Sequence, residues 1–284
     1  MSNSGTWRLR RRVEEGVFAL GSLSAAVLFL VPLVLVVSAS LRQPGLPPPR
    51  TLEWVPSPVA WGNYPAVFQL LPLGAYAANS LLIAGLAIPL TLVTASWAGL
   101  GMLQVPPRWR TFLIWLSVLL LLLPTSSLWL ARFLLFRHLG LINTFGAVLA
   151  PALMGSSPLF VLLFFWSFRR VPPELFEAAR LDGGSLITLW DRVALPLSRP
   201  TVTAVAVLTF LLYWSDFLHP LLYLKSQHLY TLPVGLQQLQ QLDRSNWPLL
   251  LAASVLLAGP AALVFLGAQR YFLQEGRLEG SAGF

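Results

Sequence analysis

Hydrophobic residues in this chain run in long uncharged blocks, and the short polar segments between them carry most of the charge. A block of about 18 or more apolar residues is long enough to cross a bilayer as a helix. The first such block, Gly16–Leu41, lies between Glu15 and Arg42. Four arginines precede it, but its apolar core is about twice the length of a secretory signal's, so it reads as a retained span. The second lies in the uncharged stretch Trp54–Pro107. Pro56, Pro58, Pro65 and Pro72 break its front half, which leaves Leu73 to about Gln104. The third is Thr111–Ala131. The fourth falls in the later part of Leu139–Phe168, after the interruptions at Pro151 and Pro158. The fifth begins near Pro200 and runs to about Leu224, and the sixth covers about Pro248–Gln269. The pattern predicts an all-α integral membrane protein with six transmembrane helices.

Composition supports this reading. The chain has 284 residues, of which 56% are hydrophobic and 11% charged. A soluble domain carries about 25% charged residues, so disorder, solvated repeats and most soluble enzymes are excluded. The net charge is +8 and Lys225 is the single lysine. The arginines sit at the ends of apolar runs rather than along one polar face, which suits a membrane and not nucleic acid. Counted by loop, 13 of the 19 basic residues fall on the side of the two termini and 6 on the other. The positive-inside rule then places both termini in the cytoplasm. This gives a cytoplasmic N-tail over 1–15, a six-span membrane domain over 16–270 and a cytoplasmic C-tail over 271–284.

Segment 169–199 is the one long polar loop, and it lies on the cytoplasmic side between spans four and five. It predicts a helix–turn–helix. Pro172 and Pro173 suit a first helical turn. Glu174–Asp182 continues the helix, and Gly183-Gly184 supplies the left-handed closure. Ser185 can cap a second helix. On that helix Leu186, Leu189, Trp190, Val193 and Leu197 recur at helical spacing, and Pro196 is expected to stop it.

The order Glu177-Ala178-Ala179, three residues, Gly183, nine residues, Val193, one residue, Leu195-Pro196 resembles the EAA motif of bacterial ABC importer permeases. The departure is Val193 where the family has isoleucine. Fragments elsewhere are similar to the carbohydrate type of these permeases, the maltose and glycerol-phosphate kind. They are Asn79-Ser80-Leu81, Leu139-Gly140-Leu141-Ile142-Asn143-Thr144, Trp214-Ser215-Asp216-Phe217 with Pro220-Leu221, Thr231-Leu232-Pro233-Val234-Gly235-Leu236, and the tail Gln269-Arg270-Tyr271-Phe272 with Gly276 and Gly280. Ser215 stands where that subfamily usually has asparagine.

The resemblance implies a permease subunit of a binding-protein-dependent importer for a sugar, oligosaccharide or polyol phosphate, in a bacterial inner membrane. Glu177, Ala178, Ala179, Asp182, Gly183, Val193, Leu195 and Pro196 would couple it to a dimer of ATP-binding subunits. A second, related permease would complete the path as a heterodimer, and an extracytoplasmic solute-binding protein would deliver the solute. No cofactor is implied.

The residues agree that the energy source lies elsewhere. No phosphate loop of the form G-x4-G-K-[ST] is present. Cysteine is absent, and His138, His219 and His228 lack metal-ligand spacing, so no metal site is expected. Asp216 is the single acidic residue within a predicted span, and such groups face a partner or an aqueous path. With Asn79 and Trp214 it forms the candidate pathway lining. Other readings are an integral membrane scaffold, a membrane enzyme, a secondary transporter and a permease for a non-carbohydrate solute. An enzyme would need a convergent polar constellation at one membrane face, and a secondary transporter would usually show internal repeats or several buried charges.

Overall fold

The second apolar block forms a single helix with the predicted bounds, Leu73–Gln104, because Pro72 and Pro106 frame an uncharged apolar run in which Pro89 is tolerated. In the computed structural model, which describes residues 4–51 and 53–281 and the side chains of 16–51 and 53–269, every regular element among the described residues is helical. In chain order these are α1 (Ser4–Ser40), α2 (Asn63–Leu70), α3 (Leu73–Gln104), α4 (Pro107–Leu122), α5 (Trp129–His138), α6 (Phe145–Leu149), α7 (Pro158–Arg169), α8 (Pro173–Leu181), α9 (Leu186–Thr188), α10 (Leu195–Leu197), α11 (Arg199–Trp214), α12 (Leu218–Tyr223), α13 (Leu232–Leu242) and α14 (Trp247–Ser281). The N-terminal arginines and the tail residues from Arg270 lie outside the described side chains.

Among the described residues, four helices are long and apolar enough to cross a membrane: Gly16–Ser40, Leu73–Gln104, Phe145–Arg169 and Trp247–Gln269. The third and fifth predicted spans need correction. Thr111–Ala131 is not one helix, since α4 ends at Leu122 and the chain bends by 91° into Thr125–His138. Pro124 lacks the N–H that would carry the helix through, and a 3₁₀ turn at Thr125–Leu128 follows it. The fifth helix ends at Trp214 rather than near Leu224, so Asp216 lies beyond the helix and not within it. Its other end meets Leu186–Leu197 at 86°. Counting each bent pair as one span gives six. At about 1.5 Å per residue, α4 and α11 are each about 24 Å long, short of the roughly 30 Å hydrocarbon core when taken alone.

The chain forms two compact units, one up to Leu71 with Gln238–Leu256, the other Pro72–Gln237 with Leu257 onwards. In the first unit, Asn63 is buried and its amide donates to the carbonyls of Ser40 and Arg42 at 2.8 and 2.7 Å, which ends α1 against the start of α2. Arg42 also meets Glu53 at 3.0 Å.

The second unit is built on α3, α7 and α11. Ala95 and Leu100 of α3, Phe160, Phe164 and Phe168 of α7, and Val205 of α11 are buried together. Gly99 makes the closest approach. A Cβ there would lie 2.8 Å from the Cβ of Phe164 and 2.9 Å from the backbone N of Phe165, so α3 and α7 touch almost backbone to backbone. Small residues permit such contacts between membrane helices. Outer faces are apolar and exposed, as with Trp115, Leu119 and Leu122 on α4, and that is a surface suited to lipid or another membrane chain.

Candidate functional site

The EAA segment folds as a knob joined to the α3–α7–α11 core. Pro172 and Pro173 open α8, with Glu174 in its first turn, where the exposed N–H groups favour negative charge. Asp182 is the C-cap. Gly183 follows with φ +79°, donating its N–H to the carbonyl of Arg180 at 3.0 Å, while the N–H of Gly184 reaches that of Ala179 at 2.9 Å. This is the Schellman closure, and it satisfies two otherwise orphaned carbonyls. Gly184 is required for a different reason. A Cβ there would lie 2.5 Å from the Ala179 carbonyl oxygen. Ser185 then caps the next helix, its hydroxyl accepting from the Thr188 N–H at 3.3 Å.

The second helix passes through a π-helical stretch, Leu189–Ala194, and ends at Leu197, one residue past Pro196. The wide turn accommodates a proline that cannot donate to the carbonyl four residues back. It also shifts the register. Leu189 is buried and Trp190 half-buried, while Leu186 and Leu197, expected on the same stripe, are exposed.

Four side chains, Trp190, Phe176, Leu195 and Arg180, fix the knob to the core. The Trp190 indole donates to Ser96 Oγ at 2.9 Å and lies 5.4 Å from the Trp97 ring. Phe176 and Leu195 pack against the buried cluster. Arg180 donates to Gln104 Oε1 at 2.9 Å, at the last residue of α3. Glu177, Ala178, Asp182, Gly183 and Pro196 are exposed, whereas Ala179, Val193 and Leu195 are half-buried. The tip is apolar. Leu181 is 89% exposed and Ile187 62%. Such a surface fits insertion into a partner.

The other end of α3 holds a second cluster. The Asn79 amide donates to the carbonyls of His228 and Tyr230 at 2.8 and 3.0 Å. Ser80 is buried and accepts from the Leu232 N–H at 2.9 Å. Gly235 sits against Tyr76 and Leu73, so closely that a Cβ would collide with the Tyr76 ring. Asn143, at φ +65°, accepts from the N–H groups of Lys225 and Ser226 at 2.9 and 2.8 Å and donates to Ser226 Oγ at 2.8 Å. Asn79-Ser80 and Asn143 thus each clamp the segment 225–232, Asn143 from 82 and 83 residues away and Asn79-Ser80 from 149 to 152.

Of the candidate lining residues, Asn79 has both amide hydrogens committed to this clamp. Trp214 is buried, stacked 5.6 Å from Phe210, and its indole donates to the Leu257 carbonyl at 2.8 Å. Asp216 pairs with His219, Oδ2 to Nδ1 at 2.9 Å. Sequence reading missed a buried polar chain, Thr91 to Ser156 at 2.5 Å and Ser156 to Tyr213 at 3.2 Å, which ties α3 and α11 to the turn before α7. The positive φ of Ser156 (+57°) places its hydroxyl there, and nothing in the sequence pattern announces it.

These features have a known setting. The chain belongs to the family of binding-protein-dependent transport system inner membrane components, whose model matches residues 87–275. It is therefore a multi-pass inner-membrane transport subunit and not itself an enzyme. An arabinooligosaccharides transport system permease protein of Halalkalibacterium halodurans is 32% identical over 90% of this chain and 92% of its own length. A sulfoquinovosyl glycerol transport system permease protein of Agrobacterium fabrum is 28% identical over 84% and 83%. The fold matches that of a chain from a bacterial ABC transporter that imports the acidic polysaccharide alginate. The TM-score is 0.72 at 18% identity, covering 96% of this chain and 99% of that one.

Proposed function

We propose that this chain is one of two permease subunits lining the translocation path of an ABC importer for a sugar, an oligosaccharide or a polyol phosphate. The carbohydrate reading rests on the relatives described above, named for glycosidic solutes, and on the Asn79, Asn143 and Gly235 clamps, whose motif fragments are similar to the carbohydrate type. The knob carries the coupling half of the reading. Its surface holds Glu177, Ala178, Asp182, Gly183 and Pro196, with Ala179, Val193 and Leu195 shaping the fold beneath, and Trp190 joins it to Ser96 of α3. A cleft on an ATP-binding subunit receives it, and closure of two such subunits on ATP moves the core through that joint.

The count of 13 basic residues against 6 supports cytoplasmic termini, with 1–15 and 271–284 as cytoplasmic tails around the membrane domain of 16–270 and the knob on the same side. The opposite face receives a solute-binding protein, and a related, non-identical permease completes the path. Asp216 is the acidic group at that path.

Co-purification tests this directly. Tagged chain solubilised from its native membrane should bring down an ATP-binding subunit and a second permease. ATP hydrolysis by the complex should rise on addition of a sugar-loaded binding protein. A chain recovered alone, or a complex stimulated by peptide-loaded and not sugar-loaded binding proteins, would refute the proposal.

A further inference from the structure

The fourth span is broken well inside the membrane. Phe145–Leu149 passes into a 3₁₀ turn, Ala150–Met154, and the helix starts again as α7 at Pro158. Between them Gly155 and Ser156 hold φ +76° and +57°, two successive left-handed residues. The depth of this break is read from α3 and α11. Arg110 donates to the carbonyls of Met102, Leu103 and Val105, which marks the inner end of α3. The break is tied higher up. Thr94 donates to the Ala152 carbonyl at 2.7 Å, and the Ser156 hydroxyl bonds to those of Thr91 and Tyr213. At about 1.5 Å per residue, Thr94 and Thr91 stand about 15 and 20 Å from Gln104, and Tyr213 about 21 Å from Arg199 at the start of α11. Both measures put the break near the middle of a hydrocarbon core about 30 Å thick.

A break at that depth leaves backbone groups to satisfy. The Ser156 N–H returns to the Pro151 carbonyl at 2.8 Å and the Ser157 N–H to the Gly155 carbonyl at 2.6 Å, while Pro158 has no N–H to give. Nothing among the described residues donates to the carbonyls of Leu153 and Met154. Both residues stand out of the fold, 62% and 87% exposed, between the buried Ala152 and Gly155. Lipid tails offer no donor, so irregular backbone at membrane depth occurs where protein buries it or water reaches it. The exposure shows that this chain does not bury it. A neighbouring transmembrane helix brings few donors, because its N–H groups are spent within it, whereas water brings them freely. The methionine beside these carbonyls is unbranched and adaptable, a side chain suited to contact with molecules of varied outline.

We propose that the turn Leu153–Ser157 lines a water-filled stretch of the translocation path at mid-membrane, with the carbonyls of Leu153 and Met154 as acceptors for water or solute and the Met154 side chain against whatever passes. The Thr91, Ser156 and Tyr213 hydroxyls anchor the turn to α3 and α11 from behind. This rests on the transport reading above and adds a place in the path to it. The test exploits the absence of native cysteine. Met154→Cys and Leu153→Cys are each assembled into the complete importer in lipid nanodiscs, where both faces are open, so a folding failure in one leaves the other to decide. A charged methanethiosulfonate reagent is added with and without ATP. Leu119→Cys is the control, since Leu119 is exposed on α4 about 18 Å from its start, a similar depth on a lipid-suited face. The reagent attacks thiolate, which water permits and hydrocarbon suppresses. Each turn variant should react roughly tenfold faster than the control or more in at least one nucleotide state, the gain in thiolate that one unit of pKa brings. In proteoliposomes, modification should then abolish uptake of labelled maltose, lactose or raffinose by the turn variants and leave uptake by Leu119→Cys intact. Labelling no faster than the control in both states, or labelling that spares uptake, would overturn the placement of the turn. A wild-type importer that moves none of the three sugars would overturn the carbohydrate reading instead, with the labelling ratio still deciding the turn.

Discussion

Replacing Gly183 by valine attacks the turn that sets the angle between the two helices of the knob. The glycine sits at φ +79° with open space around the missing Cβ, so the penalty is conformational and not a collision. A Cβ in the left-handed region costs roughly 1–2 kcal/mol, and a β-branched one more. If the backbone relaxes to negative φ, the hydrogen bonds from Gly183 and Gly184 to Arg180 and Ala179 are lost together, at about 0.5–1.5 kcal/mol each. By either route the knob is disfavoured by about 2 kcal/mol or more, which is a factor of roughly 30 in the population of the docking shape. The change is confined to an exposed loop, so membrane insertion should survive. The variant should appear in the membrane at wild-type level, fail to transport and lose most of the co-purifying ATP-binding subunit. Arg50→Ala, on an exposed residue of the first unit, is the control and should behave as wild type. Normal uptake by Gly183→Val with normal recovery of the ATPase would refute the assignment of the knob as the coupling element.

Further outcomes follow from other features. Gly99→Val forces α3 away from α7, where a Cβ already lies 2.8 Å from Phe164, and should lower the amount of folded chain in detergent, read by gel-filtration recovery. Gln43→Cys and Arg244→Cys should be labelled from outside by an impermeant thiol reagent while Ser4→Cys and Ser281→Cys are not, a clean assay because the chain has no native cysteine; the reverse pattern would invert the topology. The Asp243 carboxyl is held below its usual range by hydrogen bonds from Ser245, first, and Asn246. A depressed folded value means that its contribution is present above the unfolded pKa of about 3.9 and is lost as pH falls through the folded one. The melting temperature of wild type should exceed that of Asp243→Asn at pH 5–7, and the gap should close at pH values well below 3.9.

How far the sequence could be read depended on local punctuation. Pro72 and Pro106 bracket α3, and its ends came out as expected. The Gly183 turn and the Ser185 cap are likewise short-range chemistry, legible from residue type and spacing. The bend at Pro124 was not legible, because a proline in an apolar run either kinks a helix or ends it, and packing decides which. Trp214-Ser215 contains no breaker, so the end of α11 was invisible as well. Trp190 read as one more apolar position on a stripe, whereas its role depends on Ser96, 94 residues away. Asn79 and Asn143 carry motif signals, but what they hold lies 82 to 151 residues downstream.

The notch at Gly99 also governs how force can travel. With the backbone of Phe164 and Phe165 seated against the bare backbone of α3 at Gly99, sliding one helix along the other would bring that backbone against a full side chain, which opposes low-friction shear between the two. On the coupling proposed above, a stroke delivered through Trp190 would displace α3 and α7 as one strut, and the change of shape would be taken up at the two corners, near Pro124 and Ser198.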